Sequence, residues 1–367
     1  MDIKLKTMDN KYWIIIKTGE AEIRALENVP KDILSNTLPL IEITRGRKVT
    51  KNKIETYPFD KRLSKLKDIY KGQTIAIDVT SEESLSSPEV DYLYSPDSGY
   101  KNWVNFLIQL KNENVFERII PTVLFNFEDD NFEENITKQI QELASNFKTI
   151  LYRSDISDEN CYDDIELINN NITNNHLKII IDCGYVPQAS YQNVANKCIA
   201  RINNLKTIIT FPCEYITAST SFPNNVRDLG DLESDTFSIS EIDIYNIVSR
   251  THEDIIYADY ASINPVRNDT ITMARGWIPR IDVPLDKTIF YYKKRRPNGV
   301  SAYASTYIQV AQSVCSDLRF PHNLNIWGIN QIRLCAEGGT PSASPSFWIS
   351  VRMNIHIAQQ VNRIYSI

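Results

Sequence analysis

Four carboxylates stand at the ends of short apolar runs: Glu42 in "LPLIEIT", Asp78 in "TIAIDVT", Asp182 in "KIIIDCG" and Asp259 in "IIYADYA". Such runs favour burial, whereas an ionised carboxylate is costly to bury without a partner. Two cations hold the same place in comparable runs, Lys17 in "YWIIIKT" and Arg153 in "TILYRSD". If these runs are strands of one sheet, all six charges gather at one of its ends. Grouped carboxylates have two chemical uses. They coordinate a divalent cation such as Mg or Mn, with Asp78 and Asp182 as the candidate ligands, or they divide into acid and base with separated pKa values. Lys17 and Arg153 would hold an anionic group and stabilise developing charge. Glu42, Asp78, Asp182 and Asp259 are therefore the candidate catalytic residues. The bland alternative is that these charges only satisfy one another.

Positioning six side chains at one end requires a repeating architecture, and the sequence supplies one. Eight nearly continuous apolar runs occur at 12–18, 38–44, 74–80, 118–125, 149–155, 178–184, 206–212 and 255–261. Runs of this kind suit strands buried on both faces of a parallel sheet. Between them lie helix-like segments with apolar residues three and four apart, such as Trp103, Phe106, Leu107 and Leu110. The segment 302–318 is the helical candidate after the eighth run. Eight strands alternating with eight helices predict a (β/α)8 TIM-like barrel with C-terminal additions; the alternative is an open doubly wound sheet. The barrel is expected over 1–320, with a C-terminal turn and helix, 321–367, packed on it.

Loop lengths orient the barrel. Helix-to-strand links are mostly short, whereas the links after the second, third, seventh and eighth runs are long. Long loops therefore cluster at the C-terminal face, where barrel active sites sit. Asp182 would emerge at that mouth, with Cys183 facing the helices and Gly184 turning the chain outward.

Composition narrows the function classes. The 367 residues carry a net charge of −6, so no global basic field draws nucleic acid or an anionic membrane. No segment reaches the length of a bilayer span, and the N-terminus lacks a signal-peptide pattern, so a cytoplasmic protein without a membrane partner is expected. The six cysteines form no CxxC pair and read as buried thiols. The four histidines form no HExxH, so a zinc site is not expected. Walker, GxGxxG and GxSxG patterns are absent.

Two basic stretches, "RGRKVTKNK" (45–53) and "KKRR" (293–296), fall in the long links near the same face. They are solvated charge runs, or the rim of a site for a phosphate-bearing small molecule or nucleic acid. "CAEGGTPSASPS" (335–346) reads as a surface turn before the last helix. On that helix Trp348, Arg352 and His356 recur every four residues and share a face. Arg352 and His356 join Lys17 and Arg153 as candidate anion-binding residues.

Three stretches resemble the phage beta-protein family of phages and bacteria: "IIIKTGEAEIRALENV", "LPLIEIT" and the late "FWISVRMNIHIAQQV". In that family the late segment commonly carries a Trp and Arg and then paired histidines. Here Ile355 stands in the place of the first histidine and only His356 remains, so the pair is not carried over. The resemblance implies a barrel-like fold and a link to phage or anti-phage-defence biology, with no particular reaction. Two functional classes follow. One is a hydrolase that cleaves a phosphoester of a nucleotide or nucleic acid with a divalent metal. The other is a non-catalytic sensor of a phage or host ligand or protein partner. Glycoside hydrolysis by two of the carboxylates is a third reading, disfavoured by the basic loops.

Overall fold

A computed structural model describes residues 11–172, 174–224, 230–266, 276–299 and 302–365. Eight parallel strands form one sheet: β1 (Tyr12–Lys17), β2 (Thr37–Ile43), β3 (Thr74–Val79), β4 (Arg118–Pro121), β5 (Thr149–Asp155), β6 (His176–Tyr185), β7 (Cys213–Thr220) and β8 (Ile256–Asp259). Each strand pairs with its sequence neighbours, and β1 pairs with β8. A parallel bridge between Thr122 and Leu151 joins β4 to β5 and completes the ring. This is the expected barrel; an open doubly wound sheet would leave two edges.

Alternation along each strand sorts side chains into two cores. Trp13, Leu40, Ala76, Ile120, Leu151, Ile180, Ile216 and Ala258, one from each strand, fill the barrel interior. Their outward neighbours, among them Ile14, Ile41, Ile77 and Ile181, pack beneath the surrounding helices. Fully burying one such aliphatic side chain stabilises the fold by about 1.5–3 kcal/mol. At the N-terminal end Lys178 lies inside the barrel, paired with Glu214 and 5.9 Å from the Trp13 ring centroid.

Two elements differ from the sequence expectation. The run 206–212 is not the seventh strand: helix Tyr191–Ile208 continues into it, and the strand is the next segment, "CEYITAST". Helix Ala304–Ser316, expected to follow the eighth strand in the outer ring, instead packs on helix Trp327–Ala336 and a small antiparallel sheet. That sheet comprises Ser234–Ser238, Arg280–Pro284 and Thr288–Lys293, the last of these being the central strand. Ile281, Val283, Phe290, Val310 and Ile329 form its separate core.

The helix that takes the eighth ring position is the C-terminal one, Pro345–Tyr365. Met353, Ile357 and Val361 enter the barrel–helix core, whereas Trp348, Val351 and Ile355 enter the second core. Asn354 ties the two together: its Nδ2 donates to the Ala25 carbonyl at 3.2 Å, and its Oδ1 accepts from Gly328 N at 2.9 Å. Among the described residues no helix is long and apolar enough to cross a membrane.

Candidate functional site at the barrel mouth

The inward alternation that places Ile15, Leu40, Ala76, Leu151 and Ile180 in the interior places Lys17, Glu42, Asp78, Arg153 and Asp182 one step nearer the C-terminal mouth. All five meet there around one guanidinium. Arg153 Nε donates to Asp182 Oδ2 at 2.8 Å, and its Nη1 donates to Glu42 Oε2 and Asp78 Oδ2, each at 3.0 Å. Its Nη2 donates to the Tyr260 hydroxyl at 3.0 Å, and that hydroxyl donates to Asp182 Oδ2. Lys17 binds the other Glu42 oxygen. Backbone N–H groups of Val79 and Gly184 hold the remaining oxygens of Asp78 and Asp182 at 2.8 and 2.9 Å.

Backbone geometry supports this rim. Gly184 has φ +56°, which lets the chain turn away immediately after Asp182. Behind Tyr260, Ala261 and Ser262 both lie in the left-handed region, at φ 48° and 63°. Such non-glycine residues persist only where their surroundings over-determine them. Cys183 points outward as expected, its Sγ 3.4 Å from Cys198 Sγ on the neighbouring helix.

The two neighbouring carboxylates titrate apart. Burial pushes Glu42 upward, but Lys17 and Arg153 outweigh it and hold the group at about 2. Burial raises Asp78 above the usual carboxylate range; Arg153 opposes the rise, and the Glu42 charge adds to it. Environments that separate two adjacent acids in this way are the physical basis for dividing acid and base roles.

Asp259 does not join this group. Strand parity turns it outward, and its neighbour Tyr260 takes the inward place. Asp259 is fully buried against the C-terminal helix and accepts four hydrogen bonds: Tyr12 Oη at 2.5 Å, and Ala261 N, Tyr257 Oη and His356 Nε2 at 2.8 Å each. Burial raises its pKa, but His356 and these donors leave it below the ordinary value. Glu241 lies beside it, accepting Ser221 N at 2.9 Å, and burial with the Asp259 charge pushes it up to about 8. Glu241, Asp259 and His356 each offer a ligand atom within 4.8 Å of the others. His356 Nε2 is engaged by Asp259, and its buried Nδ1 has no hydrogen-bond partner among the described residues.

Arg352 and His356 share a helix face as expected, but separate partners hold them. Arg352 Nη1 donates to Asp282 Oδ2 at 3.0 Å, while Trp348 on the same face stacks on Tyr307. Sequence reasoning missed Tyr260, Tyr12, Tyr257, Glu241, Arg280 and Asp282. Tyr260, Tyr12 and Glu241 acquire their partners through contacts distant in sequence, whereas Tyr257 and Arg280 each bond an aspartate two residues on, a spacing that marks no site by itself. A cleft of about 1230 Å³ opens at the opposite, N-terminal end of the barrel, lined by side chains such as Lys111, Arg118, Asn146 and Lys148. It is remote from the paired acids, and the N-terminal face of such barrels serves stability.

Fold and mouth together define a TIM-like (β/α)8 barrel protein with a buried charged network at the C-terminal ends of its strands. The chain belongs to the Beta protein family, whose profile matches residues 12–362. It is similar to Protein beta of Enterobacteria phage P4, at 28% identity over 362 residues, covering 95% of this chain and 92% of that one. The resemblance read from the terminal segments is thereby borne out.

Proposed function

We propose that the barrel mouth binds a phosphate-bearing ligand through Lys17 and Arg153, and that the chain is a phosphoester-cleaving enzyme with Asp78 as its proton donor. The observation that carries this reading is the order of exposure within the network. The side chains of Arg153 and Lys17 are 20% and 14% exposed, whereas those of Glu42, Asp78 and Asp182 are 4%, 6% and 11% exposed. A ligand entering the mouth therefore meets the cations first, with the acids behind them. Asp78, its pKa raised, can retain a proton for a leaving oxygen, while the low pKa of Glu42 keeps it ionised and Arg153 in place. The guanidinium stands where a divalent ion would bridge Glu42, Asp78 and Asp182, so this reading assigns charge stabilisation to Arg153. A metal at Asp78 and Asp182 would first have to displace it.

A second reading, a non-catalytic barrel that senses a phage or host ligand, is favoured by the engagement of every mouth carboxylate with a group of the chain itself. In either case the relative from a phage supports a phage-related role.

The two readings separate in one experiment. Nucleotides and phosphomonoesters are screened for a rise in unfolding temperature and for turnover, with wild type, Lys17→Met and Asp78→Asn. The enzyme reading expects Asp78→Asn to keep the thermal shift and to lose about 100-fold or more in turnover. The sensor reading expects the shift without turnover in any variant. Absence of a shift with every phosphate compound, or an equal shift in Lys17→Met, overturns phosphate binding at the mouth and with it the enzyme reading.

A further inference from the structure

We propose that Arg280 and Arg352 form a second, buried oxyanion site beside the barrel mouth, suited to a phosphate group. Pairing of Arg280 with Lys293 and of Asp282 with Tyr291 puts these four residues on one face of the small sheet. The intervening Ile281 and Val283 face its apolar core. Arg352 reaches this polar face from the C-terminal helix.

The acids of this region are Asp282, Asp235, which pairs with Tyr291 on the same face, and Asp231 near Lys293. Arg280 Nε donates to Asp282 Oδ1 at 2.7 Å and Arg352 Nη1 to Asp282 Oδ2 at 3.0 Å, so two guanidinium groups share one carboxylate. Arg280, Asp282 and Arg352 are 8%, 6% and 5% exposed. Arg280 Nη1 and Arg352 Nε, both buried, have no hydrogen-bond acceptor among the described residues. Unpaired donors on buried charged groups are destabilising, and an oxyanion would supply the acceptors.

Aromatic rings fix the direction of those donors. The Arg280 guanidinium lies 3.6 Å from the Tyr291 ring centroid, and that of Arg352 lies 3.5 Å from Phe222. A guanidinium stacked on a ring directs its N–H groups outward in its own plane, the geometry that matches phosphate. Burial lowers the Arg352 pKa to about 10; Asp282 opposes the change and the nearby Arg280 adds to it. The Lys293 pKa is lowered by burial and then by Arg280, which places a third cation within the same field. Phe222 follows β7 by two residues, so the site borders the mouth without sharing a residue with the Arg153 network.

The inference does not rest on the mouth's proposed function, and its test keeps the two apart. Binding of inorganic phosphate to the full chain is measured by calorimetry, with sodium chloride at matched ionic strength as the control. Arg280→Met is expected to weaken phosphate binding about tenfold or more, while Lys17→Met leaves this site's binding intact. Equal binding by wild type and Arg280→Met overturns the proposal, as does loss confined to Lys17→Met. Because Arg280→Met risks misfolding, wild-type crystals soaked in tungstate give a second measurement. Tungstate within hydrogen-bond distance of Arg280 Nη1 supports the site. Tungstate found only at Lys17 and Arg153, or nowhere, removes it.

Discussion

Replacing Arg153 with methionine is expected to destabilise the protein by about 3–5 kcal/mol at pH 7, because removing one partner of a buried ion network leaves uncompensated charge. Among the described residues Arg153 is the single cation that touches all of Glu42, Asp78 and Asp182, and Lys17 is bonded to Glu42. The methionine variant therefore leaves Asp78 and Asp182 buried and without their cation.

The pH dependence identifies the cause. In the wild type the Glu42 pKa is depressed from 4.5 to about 2. Its stabilisation is therefore fully present above about pH 4.5 and is lost as pH falls through 2, a contribution of roughly 3 kcal/mol. In the variant the buried acids gain their protons more readily, and acidification relieves the repulsion. The stability gap between wild type and Arg153→Met should thus narrow from pH 7 to pH 4. Urea unfolding at both pH values measures it. A gap that stays constant would mean that the loss comes from packing rather than charge. Arg153→Lys should recover only part of it, since one ammonium cannot reproduce four divergent hydrogen bonds.

The charged residues of this network were legible in the sequence because each ends an apolar run, and because barrel strands all deliver their C-terminal ends to one mouth; Tyr260 was not. Which side of the sheet a residue faces was not. Strands buried on both faces lack polar alternation, so "IIYADYA" offers nothing to decide whether Asp259 or Tyr260 points inward. Ring closure decides it, through the pairing of Trp13 with Ala258. The seventh strand was displaced for a related reason. "KTIITFP" and "CEYITAST" are adjacent β-branched runs of similar length, and only packing of the preceding helix up to Ile208 shows which one is the strand. The ring-closing helix lies roughly eighty residues beyond β8, behind two strands of the small sheet and two helices. Local periodicity instead selects the first amphipathic segment after β8, which is Ala304–Ser316.

The same outward turn of Asp259 produces the second large effect, at Glu241. Facing Glu241 and Asp259 are Tyr12 from β1, Tyr257 from β8, Ser221 after β7, and His356 from the C-terminal helix, whose Arg363 lies over the Tyr257 ring. Burial and the Asp259 charge raise Glu241 from 4.5 to about 8. An unfolded chain releases this proton near pH 4.5, while the folded protein keeps it until about pH 8. The folded state therefore binds the extra proton between those values, and stability falls as pH rises through that window, by about 5 kcal/mol in all. Asp164, raised to about 7 chiefly by burial, adds a slope of the same sign, so the wild-type curve alone does not isolate Glu241. Glu241→Gln does, because the amide keeps an acceptor for Ser221 N and cannot ionise. The variant is expected to match wild type at pH 5 and to exceed it by several kcal/mol at pH 9, measured by urea unfolding across that range. The opposite result, a variant less stable than wild type at every pH and a wild type weakened by chelator, would instead mean that Glu241, Asp259 and His356 hold a metal ion. In that case the ion's charge, and not a proton, would neutralise the buried acids.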